Sequence, residues 1–285
     1  SVQINGQDPY ALSPEARAKF RAQHIGFVFQ QFHLVPYLSV RENILVPTLT
    51  GESDAGRVPG EIRSRLALAL DMDDLVGARR LVSLLGPYFG TLKVGLELYS
   101  ASGPDAVGGF ADDGFDVFCD LKLHDIPTTV GRAARVVGSL GARWMTVHTM
   151  GGAAMVAAAV DGLAEGAAGA GLPTPGALGV TVLTSDETAT GADLEARCEV
   201  AARNGCEGII CAAPDLPTTE PWADRLVRVV PGIRMPGSDP HDQSRVAGPG
   251  EALAAGADLL VIGRMVTAAD DPVAAAEALV DSLLG

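Results

Sequence analysis

The absences narrow the field first. Four cysteines in 285 residues, with no CxxC spacing and no nearby pair of histidines, argue against a disulfide scaffold or a cysteine-based zinc site. Cys119 and Cys211 stand in apolar, strand-like runs and read as small core residues of a reducing compartment. Basic residues are scarce: 21 Lys and Arg against 35 Asp and Glu give a formal net charge of -14 and a pI near 4.7. Such a surface repels phosphate backbones and anionic lipid, so neither nucleic acid nor membrane is an expected partner. A small anionic substrate stays open, because a local cluster of Lys and Arg can dominate one pocket. No run approaches the roughly 20 apolar residues of a membrane helix, and no charged-then-apolar leader opens the chain. The first residue is Ser1 rather than Met, as in a fragment or a processed product. The expected location is cytoplasmic.

What is present changes character near residue 60. Gly51 to Glu61, GESDAGRVPGE, is rich in Gly, Asp, Ser and Pro and reads as a linker. Residues 1–60 therefore form one unit and 61–285 another. Beyond the linker the texture is regular: apolar strand, acidic or Gly-containing turn, Ala-rich helix. Eight strand candidates follow: Arg65–Leu70, Thr91–Val94, Val117–Leu121, Trp144–His148, Ala177–Leu183, Gly208–Cys211, Leu226–Val230 and Leu259–Ile262. They are rich in Val, Ile and Leu with little alternation, as parallel strands covered on both faces should be. Helix-like stretches, among them Asp74–Leu85, Thr128–Leu140, Ala153–Glu165, Asp193–Asn204 and Glu251–Ala255, lie between them. This repetition predicts an α/β fold, a (β/α)8 barrel with a short non-barrel N-terminal appendage. A doubly wound open sheet is the alternative; it would want fewer strands and a Gly-rich first turn, whereas the first turn of this chain is DMDDL.

A barrel of this kind gathers functional residues at the carboxyl ends of its strands. There the chain places Asp71, Lys93, Asp120 with Lys122, His148, Thr184 with Ser185, Arg234 and Arg264. Asp120, Lys122 and Asp125 crowd into DLKLHD, beside Asp71 and Lys93 from the two preceding strands. A structural ion-pair network is the plain explanation. Against it, residues 120 and 122 share one side of a strand by period two, and an inward line of Asp, Lys and Asp is costly unless every charge is compensated. Chemistry that delivers a proton beside a repelling carboxylate would justify it. At the far rim, Gly263 would let backbone N–H groups approach an oxyanion, and Arg264 offers a forked donor. Gln243 lies in a Gly-, Pro- and Asp-rich stretch, PGSDPHDQSRV, suited to closing over a ligand. His148 stands alone on its strand and His124 is expected to point away from Lys122, so no metal is expected.

These residues carry a resemblance. DLKLHDIP, preceded by ALD and KVG and followed by TVLTS, PGIR, DQSR and VIGR, resembles orotidine 5′-phosphate decarboxylase of the bacterial type from Arg65 to the C-terminus. Met235 and Met265 depart from the family pattern, which has Pro after GIR and GR. The resemblance implies a cofactor-free conversion of orotidine 5′-monophosphate to UMP and carbon dioxide in pyrimidine biosynthesis. It makes Lys122 the proton donor, sets Asp120 beside the substrate carboxylate, and completes the charge network with Lys93 and with Asp125 contributed across a homodimer interface. Substrate contacts fall to Asp71, Lys93, Thr129, Thr184 or Ser185, Arg234, Gln243, Gly263 and Arg264, with no metal. Sister enzymes, the 3-keto-gulonate-phosphate decarboxylases and hexulose-phosphate synthases, resemble the same barrel but need Mg²⁺ and carry Glu where this chain has Lys93.

The first segment resembles something else. QHIGFVFQQFHLVPYLSVRENILVP is similar to the strand and Q-loop of an ABC transporter ATP-binding subunit, with Gln30 in the glutamine position. It lacks GxxxxGK[ST], an LSGGQ-like signature and an acidic strand with a catalytic Glu. No ATP hydrolysis is expected from it. A fusion-derived fragment is the favoured reading over a packed appendage or a docking element.

Overall fold

A computed structural model describes residues 58–183, 186, 188–234 and 247–284. Residues 1–57, which hold the segment read from its sequence as Q-loop-like, lie outside them, as do Thr184, Ser185, Met235 and Gln243.

Eight parallel strands close into a barrel in chain order. They are β1 (Leu66–Leu70), β2 (Thr91–Gly95), β3 (Asp116–Leu123), β4 (Trp144–His148), β5 (Gly176–Val180), β6 (Gly208–Ile210), β7 (Val227–Val230) and β8 (Leu259–Ile262). Each is preceded or followed by helix, as the sequence repeat requires. Strand side chains alternate between two apolar layers. Leu66, Leu68 and Leu70 of β1 and Leu260 and Ile262 of β8 face the surrounding helices. Ala67, Ala69, Phe118, Leu178, Val180, Ile210, Val229, Leu259 and Val261 fill the barrel interior. The alanines of β1 are small, so the interior is not packed to its rim.

The helices of the β3–β5 side approach closely because glycines line their contact. A Cβ on Gly166 would lie 1.9 Å from the Arg135 carbonyl oxygen, and one on Gly162 would lie 2.2 Å from that of Gly131. Gly138 meets the Leu163 carbonyl in the same way, at 2.3 Å. The Pro127–Gly138 and Gly152–Ala170 helices thus touch backbone to backbone. The stretch Thr149–Ala170 is, by length and composition, apolar enough to cross a membrane. That differs from the sequence expectation. Its Ala and Gly residues serve this contact, and Met155, Val156, Ala159 and Leu163 are buried against the barrel.

Two strands end earlier than expected. β5 stops at Val180 rather than Leu183, and β6 at Ile210 rather than Cys211. Thr181 leaves the ladder but stays tied to β6, giving its N–H and its hydroxyl to the Ile210 carbonyl at 3.2 and 2.7 Å.

Candidate active site

The carboxyl ends of the strands surround a cavity of about 240 Å³. One wall carries Asp71, Lys93, Asp120 and Lys122. The facing wall carries Val180, Val182, Ile210, Val261, Arg234 and Arg264.

The charged wall is a chain of alternating signs. The Lys93 Nζ donates to Asp71 Oδ1 at 2.8 Å and lies 3.6 Å from Asp120 Oδ2. Lys122 Nζ reaches both Asp120 oxygens, at 2.7 and 2.8 Å. The Thr146 hydroxyl donates to Asp120 Oδ1 at 3.1 Å. Each buried charge therefore has a partner of opposite sign, which is the condition under which such a cluster survives inside a fold. Lys93 and Asp120 are each only 8% exposed, whereas Asp71 is open to solvent. Burial pushes the Asp120 carboxyl up, but the Lys93 and Lys122 ammonium groups and the hydrogen bonds from Lys122 and Thr146 outweigh it and hold it below its ordinary value.

The route by which Lys122 reaches this wall differs from the expected one. Simple period-two alternation does not continue through β3. Cys119 pairs with Met145, but Leu123 pairs with Val147, so β3 spends four steps where β4 spends two. Within this irregularity Lys122 takes φ +48°, the one positive value among the described non-glycine residues. A lysine in that region costs about 1–2 kcal/mol. Strain of this kind, held by its surroundings, is a pointer to function. The Lys122 N–H, out of the ladder, donates to Thr146 Oγ1 at 2.8 Å.

Two residues escaped sequence reasoning. Thr146 is uncharged and sits inside the apolar run WMTVH; its one signal is a hydroxyl on an inward-facing strand position. Gly95 ends β2 beneath the acid–amine pair. A Cβ there would stand 2.9 Å from Asp71 Oδ1 and 3.1 Å from Lys93 Nζ, so a larger residue would displace the pair.

Of the expected site residues, Asp71, Lys93, Asp120, Lys122, Arg234, Gly263 and Arg264 all line the cavity. Asp125 and Thr129 do not. Both are exposed beyond the end of β3, and the Asp125 carboxylate accepts the Ile126 N–H at 2.6 Å. The inward line of Asp, Lys and Asp therefore ends at Lys122 within one chain: β3 stops at Leu123, and Asp125 lies beyond it. Arg234 is buried and donates to the Ile233 carbonyl at 2.8 Å. A Cβ at Gly263 would meet only Ala69, at an ordinary 3.7 Å, so space inside the barrel does not demand glycine there. His148 packs against His124, with ring centroids 5.3 Å apart. Burial, then the positive neighbours His124, Lys122 and Arg197, push the His148 imidazole pKa down. Among the described residues, no group of His, Cys, Asp and Glu is arranged to hold a metal. The four cysteines are free and buried, and burial pushes the Cys119 thiol up to about 12, so they act as core residues.

A closed parallel barrel with paired charges gathered at the carboxyl end of its strands is the arrangement of a (β/α)8-barrel enzyme. The model of the Orotidine 5'-phosphate decarboxylase / HUMPS family matches residues 64–279. The chain belongs to that family. It is 43% identical over 235 residues to the orotidine 5'-phosphate decarboxylase of Moorella thermoacetica, covering 76% of this chain and 91% of that one. It is 44% identical over 233 residues to the enzyme of that name from Thermobifida fusca, covering 76% and 95%. Among solved structures it is similar to orotidine 5'-phosphate decarboxylase from Lactobacillus acidophilus, with a TM-score of 0.67, 33% identity, and coverage of 78% of this chain and 100% of that one.

Proposed function

We propose that Lys122 protonates C6 in the conversion of orotidine 5′-monophosphate to UMP and carbon dioxide, the decarboxylation that family membership assigns to this chain. The observation that carries this assignment of roles is the Lys122 ammonium, held by both oxygens of Asp120 on a strained backbone at the cavity wall.

The chemistry needs such a group. When the bond from C6 to the carboxyl carbon breaks, its electron pair stays on C6, in an orbital that the ring π system cannot delocalise well. A fixed ammonium beside C6 stabilises that charge as it forms. Its N–H bond then breaks, C6–H forms, and a neutral amine remains for solvent to reprotonate. Asp120, beside the substrate carboxylate on this reading, disfavours it, but that charge departs with the gas. The alternating Asp71–Lys93–Asp120–Lys122 row keeps the wall close to neutral, so the protein does not have to relax as charge moves. Each tenfold in rate needs about 1.4 kcal/mol of differential stabilisation.

On this reading the phosphate is bound by Arg234 and Arg264, which line the same cavity as Lys122. The same reading has Asp71 and Lys93 meet the ribose hydroxyls, Thr184 or Ser185 the pyrimidine edge, and Gln243 the phosphate or base. Asp125 and Thr129 serve the cavity of a second copy in a homodimer. Supporting this, Leu96, Ile126 and Met150 follow three successive strands and are 59%, 66% and 60% exposed, an apolar corner beside Asp125 suited to being covered. Against the Mg²⁺-dependent sister reactions stands Lys93, whose ammonium occupies the space between Asp71 and Asp120 that a divalent cation would share. Residues 1–60 are a separate transporter-like piece without phosphate-cradling chemistry, and the location is cytoplasmic. The test is the absorbance change of orotidine 5′-monophosphate with the purified chain. Turnover that vanishes in Lys122→Ala, while a product-like nucleotide still binds, supports these roles; unchanged turnover removes Lys122 from the mechanism.

A further inference from the structure

We infer that Thr146 is a positioning residue for this reaction: one hydroxyl oxygen fixes both the left-handed backbone of Lys122 and the carboxylate of Asp120. The inference rests on the proposed role of Lys122 as proton donor.

Thr146 stands on β4 between Met145 and Val147, the two residues that bracket the irregularity in the β3–β4 pairing. Across that gap β3 has surplus residues, and the Lys122 N–H has no ladder carbonyl. The Thr146 side chain takes the carbonyl's place, accepting that N–H at 2.8 Å. Its own proton goes to Asp120 Oδ1 at 3.1 Å. A hydroxyl is suited to this double duty, since a single atom both donates and accepts. Valine has the same shape and can do neither. Thr146 is fully buried, so water does not reach it to substitute. The two groups it holds are the donor at the reacting carbon and the acid that orients the donor. Loosening either by about 1 Å is the kind of error that costs roughly 10²-fold in turnover. Thr146 is hydrogen-bonded to neither Arg234 nor Arg264, the groups proposed for the phosphate, so substrate binding should change little.

The experiment is a comparison of Thr146→Val and Thr146→Ser, with Lys122→Ala alongside. Expected is a fall in kcat of about 10²-fold for Thr146→Val, with KM within about threefold, and recovery of most of that loss in Thr146→Ser. Wild-type turnover in Thr146→Val overturns the inference. So do equal losses in the valine and serine variants, which would mark a packing effect, or a loss carried wholly by KM. Should Thr146→Val fail to fold, Thr146→Cys keeps the size with a weak donor and acceptor. Its kcat should fall well below that of Thr146→Ser with KM little changed, and turnover equal to Thr146→Ser overturns the inference. An inactive Lys122→Ala with a fully active Thr146→Val defeats only the role of the hydroxyl. An active Lys122→Ala defeats both readings.

Discussion

The two halves of the barrel mouth come from the same strand–helix unit and do different work. On the β1–β4 side every charged group at the cavity is locked: Asp71 to Lys93, Lys93 toward Asp120, Asp120 to Lys122 and Thr146, all within 3.6 Å. On the β5–β8 side the wall is apolar, Val180, Val182, Ile210 and Val261, with Arg234 and Arg264 at its rim. The locked half cannot adapt to a ligand without breaking ion pairs. The other half presents apolar side chains and two guanidinium groups, which the proposed function gives to the ring and the phosphate. On the proposed roles, chemistry falls to one side and binding energy to the other, so that remote binding holds a substrate against a site that repels its reacting group.

Substitutions on each side should therefore change different constants. The largest effect after removal of Lys122 is expected from Asp120→Asn, which keeps the shape and removes the charge that orients the ammonium. Its kcat should fall about 10²–10³-fold with little change in KM, measured by the same absorbance assay. The variant also alters acid stability. The Asp120 carboxyl lies below its ordinary value in the folded chain, so its contribution to stability is complete above about pH 5 and fades as pH falls through the folded-state value. Melting curves of Asp120→Asn should lack that acid-sensitive component. Next in size is Arg264→Ala, expected to raise KM roughly 10–100-fold while kcat changes far less, since a charge-assisted hydrogen bond to phosphate is worth about 1.5–3 kcal/mol. A kcat defect in Arg264→Ala equal to that of Asp120→Asn would erase the division between the halves. The smallest effect is that of EDTA, expected to leave the rate unchanged; loss restored by Mg²⁺ would move the chain to the sister reactions.

Much of this was legible from residue order. The strands fall within a few residues of where apolar runs place them, because parallel strands buried on both faces leave a continuous Val, Ile and Leu signature. The charged cluster was legible because like and unlike charges rarely crowd a strand end without cause. The pairing irregularity at Lys122 was not. It depends on which β4 residues β3 meets, a non-local fact; period two groups residues 120 and 122 but does not carry to Asp125, an odd number of steps further on. Thr146 was invisible for a related reason: one hydroxyl in an apolar strand gains meaning only when the facing strand bulges toward it. Asp125, Ile126 and Thr129 are exposed and do not line the cavity of their own chain, so nothing within one chain's pattern decides their role.

The strained lysine is where chemistry and stability pull apart, and Lys122→Gly separates them. Glycine adopts a positive φ at no steric cost, while Lys93, 3.6 Å from the buried Asp120, still compensates its charge once Lys122 is gone. Turnover of orotidine 5′-monophosphate and the melting temperature of this variant should be measured together. Expected is a rate reduced by at least about 10⁴-fold, with a melting temperature within about 5 °C of the parent. A glycine variant that still decarboxylates at a comparable rate, or one that no longer folds, would contradict a lysine held in strain for the sake of the reaction.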